Sequence, residues 1–446
     1  MTAWLTIIGV GEGGVEELPA ATRALIDAAK TVLGPERFLG LTTPTPDPSP
    51  QGGGGRLPHL SSLANATEIA APSSPSPLRG GRRQPGGGRE ASTKLVPWHS
   101  PLSAMLDQIT TLRGTHTVIL ATGDPMWFGI GATLAKHFDL TEFTVHPHPS
   151  AFQLAAARLH WPLQYVATIS LHGRAVETLH PHLVPGNRIL ALTSDRSTVE
   201  AAKVILESRG YGQSRLTVLE NLGGADERIS TAMAADFDLA VGDFYVLAID
   251  CVADDGAPLL PPVPGLPDAA FISDGQLTKR EVRAATLAKL APFPGALLWD
   301  VGAGCGSVAI EWLRAVRDTT AIAFEREATR LEMIGANANA LGTPALKIVA
   351  GDAPASLEGH AGPDAIFIGG DVSNEALFDA CWAALKPGGR LVANAVTLDS
   401  EQTLYARHAE LGGDLTRIEV SMLDAVGGHR VMRPRLAVTQ YLVLKP

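Results

Sequence analysis

The 446-residue chain is poor in cysteine: Cys251, Cys305 and Cys381 are widely spaced and odd in number. That excludes a disulfide framework and offers no zinc spacing, so no metal site is expected and a reducing compartment fits. Long hydrophobic runs are missing as well. Nothing approaches the roughly twenty consecutive apolar residues of a membrane span, so no membrane partner is expected. Nor does "MTAWLTIIG" carry a basic segment ahead of its strand-like run; no signal peptide is read, and a cytoplasmic location is expected. Positive charge is also in short supply. A net charge of -10 argues against a broad nucleic-acid-binding face, while leaving room for a local basic pocket around an acidic small molecule.

What is present is α/β texture, interrupted twice. Residues 43–93 begin "TPTPDPSPQGGGGRLP" and end near "PSPLRGGRRQPGGGRE", without apolar periodicity, and read as a disordered insertion in a surface loop. The second break, residues 253–267, is a proline-rich spacer taken as the domain boundary. Residues 1–252 alternate strands such as "LTIIGV", "HTVILAT", "RILALT" and "DFYVLAI" with helices such as "PAATRALIDAAK", enough for two subdomains. Residues 268–446 open with a helix at "TKREVRAATLAKL" and continue with seven strands, from "ALLWDVG" to "RIEVSML" and "VTQYLVL". Five alternate with helices as in a doubly wound sheet, and the last two suggest an antiparallel pair on its edge.

The chemistry concentrates in "LLWDVGAGCGSVAIEW", where Gly302, Gly304 and Gly306 stand between a strand and a helix. Glycines admit close approach of a ligand to the backbone, and a helix N-terminus supplies free N–H groups. A pyrophosphate cofactor needs G-x-G-x-x-G; here the spacing is tighter and Asp300 precedes the loop, which favours a cationic ligand. Glu325 ends the next strand, where a carboxylate can accept from two ribose hydroxyls. Asp352 and Ala353 in "AGDAP" follow the third strand, placed to meet an adenine ring. This ordered set resembles the seven-stranded S-adenosylmethionine-dependent methyltransferases over residues 268–446. The resemblance implies a cofactor site at Thr278, Asp300, Gly302, Ala303, Gly304, Cys305, Gly306, Glu325, Asp352 and Ala353. Thr278 has a second role open to it, as the first residue of a Thr-x-x-Glu capping box with Glu281. Cys305 has no base beside it and reads as a small loop residue rather than a nucleophile. Where methylases of exocyclic amines carry polar side chains, this chain has "FIGGD", so a carbon acceptor is expected.

The N-terminal "GVGEGGVEEL" spells G-x-G-x-x-G but sits in the wrong context for a dinucleotide. The helix is expected to start near Pro19, Glu12, Glu16 and Glu17 repel a pyrophosphate, and the second strand ends in Gly34 rather than an acid. An NAD-dependent oxidoreductase domain fused to a methyltransferase is therefore the weaker alternative. The loop, followed by "ATGDPMWFGIG", instead resembles the tetrapyrrole methyltransferases, with Glu12 standing where that family usually has proline. Gly9, Gly11, Gly123 and Asp124 are the cofactor positions this implies. "SLHGR" and "ENLGGADERI" further resemble the branch that methylates a corrin precursor late in its pathway. His172, Arg174 and Arg228 there, with Arg283 in the C-terminal half, are candidates to hold substrate carboxylates.

Together the two resemblances imply a bifunctional enzyme of cobalamin biosynthesis with two S-adenosylmethionine sites, a tetrapyrrole substrate and a homo-oligomeric state. The C-terminal half would methylate carbon 15 and decarboxylate the ring C acetate, and the N-terminal half would methylate carbon 5. No residue is assigned as catalytic. A first domain that binds S-adenosylmethionine without turning it over is the alternative of another class. Because an unstructured insertion contributes little to a core, excising residues 43–93 behind a short Gly-Ser linker should leave melting temperature and turnover nearly unchanged. Loss of turnover in a folded variant would show that the segment takes part in function.

Overall fold

The computed structural model describes residues 3–40, 93–98 and 101–446. Of the expected insertion, all but Thr93 lies outside the described residues. The chain divides into two compact units, residues 1–159 with 221–227, and residues 160–220 with 228–446.

The first unit contains β1 (Leu5–Val10), α1 (Ala20–Asp27), β2 (Thr31–Gly34), β3 (Lys94–Pro97), α2 (Leu102–Thr111), β4 (Thr117–Thr122), α3 (Ile130–Leu134), β5 (Phe143–His146) and α4 (Ala151–Leu159). Its strands run parallel in the order β3-β2-β4-β1-β5. A parallel sheet is covered on both faces, which is why β1 and β4 are buried almost throughout. Leu5, Ile7 and Ile119 pack to one side, Ile8, Val10, Val118 and Leu120 to the other. Helix α1 starts where expected, with Pro19 as its N-cap. Residues 221–227 are held in this unit by Glu227, whose carboxylate accepts from Arg158 at 2.5 and 2.9 Å.

The second unit begins with β6 (Val166–Ser170), β7 (Arg188–Leu192), α5 (Ser197–Ser208), β8 (Arg215–Glu220), β9 (Arg228–Met233) and β10 (Tyr245–Asp250). These form a mixed sheet in the order β6-β7-β10-β8-β9. It continues with α6 (Arg280–Leu290), β11 (Leu297–Val301), α7 (Ser307–Ala315), β12 (Thr320–Glu325), α8 (Ala328–Ala340), β13 (Lys347–Ala350), β14 (Ala365–Ile368), α9 (Glu375–Ala384), β15 (Arg390–Ala395), α10 (Leu398–Leu411) and β16 to β19 (Asp414–Ile418, Ser421–Val426, His429–Pro434, Val438–Leu444). The seven-stranded sheet runs β13-β12-β11-β14-β15-β19-β16, with only β19 antiparallel to both neighbours. This is the doubly wound order that the resemblance implies. It reverses direction between β11 and β14, the place where open α/β sheets bind ligands.

One expectation needs correction. "RIEVSML" is not one strand: β16 ends at Ile418 and Ser421 starts a separate ribbon of β17 and β18. Gly427 and Gly428 turn that ribbon with φ of 54° and 82°, a positive-φ pair that suits a two-residue hairpin. The proline-rich spacer, residues 253–267, packs against the C-terminal core. Leu260 and Leu266 are buried in the C-terminal core, and the backbone N–H groups of Gly265 and Leu266 donate to the Glu311 carboxylate at 2.6 and 2.9 Å.

The anchor of that segment is a buried ion pair. Arg283 is fully buried and its Nε donates to Glu311 Oε1 at 2.6 Å, with its remaining nitrogens on Asp268, the Thr278 carbonyl and the Leu266 carbonyl. Its guanidinium carbon lies 4.8 Å from the centre of the Phe271 ring. Removing one member of such a pair strands the other charge, at a cost of about 3–5 kcal/mol, whereas replacing both costs far less. Glu311→Gln should therefore lower the denaturation midpoint strongly, and Arg283→Met with Glu311→Leu should recover much of it. Equal loss in the single and double variants would contradict this.

Candidate functional site

The C-terminal ends of β11, β12, β13 and β14 lie on one edge of the parallel sheet. Every cofactor residue expected in the C-terminal half but Thr278 and Asp300 sits on this edge or in the loops leaving it. Gly302, Gly304 and Gly306 all have φ between 58° and 80°, a conformation that L side chains rarely adopt. A Cβ on Gly304 would also meet the Gln276 carbonyl at 3.3 Å. The segment before α6, with half-buried Thr278, thus passes over the glycine turn.

Two carboxylates tie the turn down. Glu325 Oε2 accepts from Gly304 N–H at 2.8 Å, while Oε1 accepts from the N–H groups of Arg326 and Glu327 at 2.9 and 3.1 Å. Three of about four acceptor positions on a carboxylate are then filled, leaving room for one further donor instead of two. Asp300 Oδ2 accepts from Ala309 N–H in the first turn of α7 at 2.9 Å, and Oδ1 is buried without a partner. Burial pushes the Asp300 carboxyl up to about 7; the Ala309 N–H offsets part of this and the Glu325 charge adds to it. No cation pairs with either acid among the described residues. Buried negative charge without a counter-charge, beside a turn whose backbone can be approached closely, fits a cationic nucleoside such as S-adenosylmethionine.

Asp352 is exposed and stands 3.6 Å from Arg326, and Ala353 packs against the core beneath. Cys305 is buried and burial raises its thiol pKa, which suits a packing role. Sequence reasoning overlooked Asn337 on α8. Its amide donates to the carbonyls of Cys305 and Ile272 at 3.0 and 2.8 Å and accepts from Ile272 N–H at 2.8 Å, joining the glycine turn to the segment that covers it. An asparagine in mid-helix gave no signal of that contact.

Two expected roles are corrected here. Helix α6 starts at Arg280 with Lys279 as N-cap and no side-chain cap, so the Thr278–Glu281 box does not form. Arg283, with its donors spent inside the protein, is a structural pin and does not reach a substrate.

In the first unit, the ends of β1, β4 and β5 converge in the same way. A Cβ on Gly9 would collide with the Gly123 carbonyl and come within 2.8 Å of His148 Cβ, and one on Gly11 would lie 2.7 Å from His148 Cε1. Gly123 (φ 64°) donates to the Val10 carbonyl at 2.8 Å, and Asp124 Oδ1 accepts from Met126 N–H at 2.7 Å. Glu12 accepts from Arg37 Nη1 at 2.9 Å, which explains how an acid is accommodated at that place in the loop. Half-buried His148 had no signature in the sequence.

The sheet of β6 to β10 brings His172, Arg174 and Arg228 to one edge. His172 lies three strand steps from the end of β8 and four from the start of β9, the latter roughly 19 Å at strand spacing. They form no single cluster. His172 Nδ1 is 3.1 Å from the Thr193 carbonyl, to which it donates, and Nε2 is buried without a partner. Arg174 is exposed. Arg228 donates to Glu220 at 2.6 Å, and this hydrogen bond holds the Glu220 carboxyl below its ordinary range. Among the described residues no cluster of His, Cys, Asp and Glu is placed to hold a metal ion, and no helix is long and apolar enough to cross a membrane.

Comparison with known proteins matches both halves. A family model described as tetrapyrrole (corrin/porphyrin) methylases matches residues 4–238, and one described as precorrin methyltransferase domain matches residues 269–445. Precorrin-6Y C(5,15)-methyltransferase (decarboxylating) of a Sinorhizobium species is 44% identical over 442 residues, 99% of this chain and 96% of the relative. The protein of that name from Mycobacterium tuberculosis is 41% identical over 354 residues, 78% of this chain and 87% of the relative. Among solved structures, the C-terminal domain of precorrin-6Y C5,15-methyltransferase from Rhodobacter capsulatus is 44% identical, with a TM-score of 0.40, covering 42% of this chain and 100% of that one.

The acid pair has a measurable signature. Asp300 titrates near 7 in the folded chain and at 3.8 as a free carboxyl, so the folded state holds the extra proton between those values. Its contribution is fully present below about pH 4 and is lost as the pH rises through about 7, with a slope of at most about 1.4 kcal/mol per pH unit. Asp300→Asn should remove that component of the pH–stability profile. An unchanged difference between wild type and variant from pH 4 to 7 would show that Asp300 is ionised throughout.

Proposed function

We infer that this chain, which belongs to the precorrin-6Y C(5,15)-methyltransferase (decarboxylating) family, catalyses two C-methylations and one decarboxylation of a precorrin in cobalamin biosynthesis. In chemical terms the substrate is precorrin-6B, methylated at carbons 5 and 15 and decarboxylated at the ring C acetate to give precorrin-8X. The observation that carries this reading is the presence in one chain of two unlike parallel sheets, each with a glycine turn at its strand ends. S-adenosylmethionine supplies the methyl group when bound.

The chain's own part is binding and positioning. Residues 1–252 form one methyltransferase domain, with its cofactor held at Gly9, Gly11, Gly123 and Asp124. Residues 268–446 form the other, with its cofactor held at Thr278, Asp300, Gly302 to Gly306, Glu325, Asp352 and Ala353. A cationic cofactor bound at this pair would favour the ionised Asp300 carboxylate and offset the repulsion from Glu325, so binding should release a proton near neutral pH. Alignment of an electron-rich macrocycle carbon with the methyl donor, and exclusion of water, are what such a cleft contributes to C-methylation. The electron pair left by decarboxylation passes into the conjugated macrocycle and is later protonated. For substrate contact, His172 and Arg174 remain candidates, supported by the ring nitrogen that His172 leaves without a partner.

Cytoplasmic location and self-association belong to the same reading. The three cysteines, buried and unpaired, support the first. The ribbon of β17 and β18, with Met422, Leu423, Val431 and Met432 exposed, supports a second copy as its cover. Sedimentation should find a dimer or larger, and Leu423→Glu with Met432→Glu should shift it toward monomer.

Product analysis tests the division of labour. Glu325→Ala should weaken the C-terminal cofactor site by about 1.5–3 kcal/mol, the range for hydrogen bonds to a charged group. Methylation at carbon 15 and release of carbon dioxide should then fall together. Asp124→Ala should instead give a product that has lost carbon dioxide and gained one methyl. Two methyl groups from the Asp124 variant, or normal carbon dioxide release by the Glu325 variant, would overturn the assignment.

A further inference from the structure

Two arginines on different elements of the second unit are buried without a carboxylate. Arg209, which caps α5, is 8% exposed; its Nη1 donates to His180 Nδ1 at 3.2 Å, and its Nε and Nη2 have no acceptor. Arg314 on α7 is 6% exposed; its two Nη atoms donate to the carbonyls of Leu341 and Leu260, and its Nε has none. The backbone joins the two side chains through one seam. A Cβ on Gly342, next to Leu341, would come within 3.0 Å of His180 Cβ and collide with Pro181 Cδ. Thus His180, the partner of Arg209, touches the strip of chain whose carbonyl holds Arg314. Glu311, one turn earlier on α7, is already bound by Arg283 and by the N–H groups of Gly265 and Leu266.

The chemistry of this seam is one-sided. A guanidinium keeps its charge in proteins, and a buried charge is costly unless paired. His180 does not supply the missing charge: it accepts from Arg209, and burial with the two arginines beside it brings its pKa down to about 4, which keeps it neutral. The unpartnered Nε and Nη2 of Arg209 form one edge of the guanidinium, the fork that binds two oxygens of a carboxylate or phosphate side by side. We propose that this seam is a structural anion site, in which one small inorganic oxyanion such as phosphate sits on the Nε–Nη2 edge of Arg209 and accepts a further bond from Arg314 Nε. The anion neutralises the seam between the sheet of β6 to β10 and the seven-stranded sheet, at the opposite end of α7 from the Gly302–Gly306 turn.

Equilibrium dialysis of radiolabelled phosphate against the intact chain, saturated with S-adenosylmethionine to occupy the cofactor sites, tests this. One phosphate should be retained per chain, sulfate should displace it, and chloride at the same ionic strength should not. Arg209→Lys keeps the buried charge but loses the fork, and should weaken retention by about tenfold or more. Should that variant fail to fold, the wild-type stoichiometry and the sulfate and chloride competitions still decide. Retention of no phosphate, equal competition by chloride, or unchanged retention in folded Arg209→Lys would overturn the proposal.

Discussion

The hydrogen bond from Gly304 N–H to the Glu325 carboxylate, at 2.8 Å, is the constraint on which the C-terminal site depends. It ties the loop leaving one parallel strand to the end of the next, and it does so with a charge. The carboxylate ends β12, the neighbour of β11, and so flanks the crevice that opens where the sheet reverses its winding between β11 and β14. Once Glu325 is held, Asp300 lies beside a second negative charge in a buried position, and a cation is the species that relieves both. The glycines follow from the same geometry: their positive φ values let the loop turn sharply enough for Gly304 to reach Glu325.

Much of this was legible in the sequence because it is local. Gly302, Gly304 and Gly306 declare a turn whatever surrounds them, and Pro19 marks a helix start by its fixed φ. The apolar runs of β1 and β11 announce strands covered on both faces. Roles that failed to show were those set by distant partners. Arg283 looks like any cation on a helix until Glu311, packed from another helix, claims it. Thr278 and Glu281 have the spacing of a capping box, but the chain enters α6 one residue too late to form it. The β17–β18 ribbon had its signal in Gly427-Gly428, hidden because its first residues, Ser421 to Leu423, read as the end of the preceding strand "RIEVSML". His148 and Asn337 act through contacts that no local pattern encodes.

Electrostatics divides the molecule's polar interior into opposites. Near the glycine turn of the seven-stranded sheet, acids lie without cations; in the seam around Arg209 and Arg314, cations lie without acids. Surface pairs such as Arg158 with Glu227 are balanced and half-exposed, where an ion pair adds little. Unbalanced buried charge is different, since its cost must be met by something that the chain itself does not provide. Two such places of opposite sign call for ligands of opposite charge.

The central claim is that two separate cofactor sites, one in each half, serve one chain. Calorimetric titration of the intact protein with S-adenosylmethionine tests it most directly, because the number bound is independent of turnover. Two molecules should bind per chain, and Glu325→Ala should leave one bound with its affinity unchanged. A single molecule bound by the wild-type chain, or loss of all binding in the folded Glu325 variant, would contradict the account.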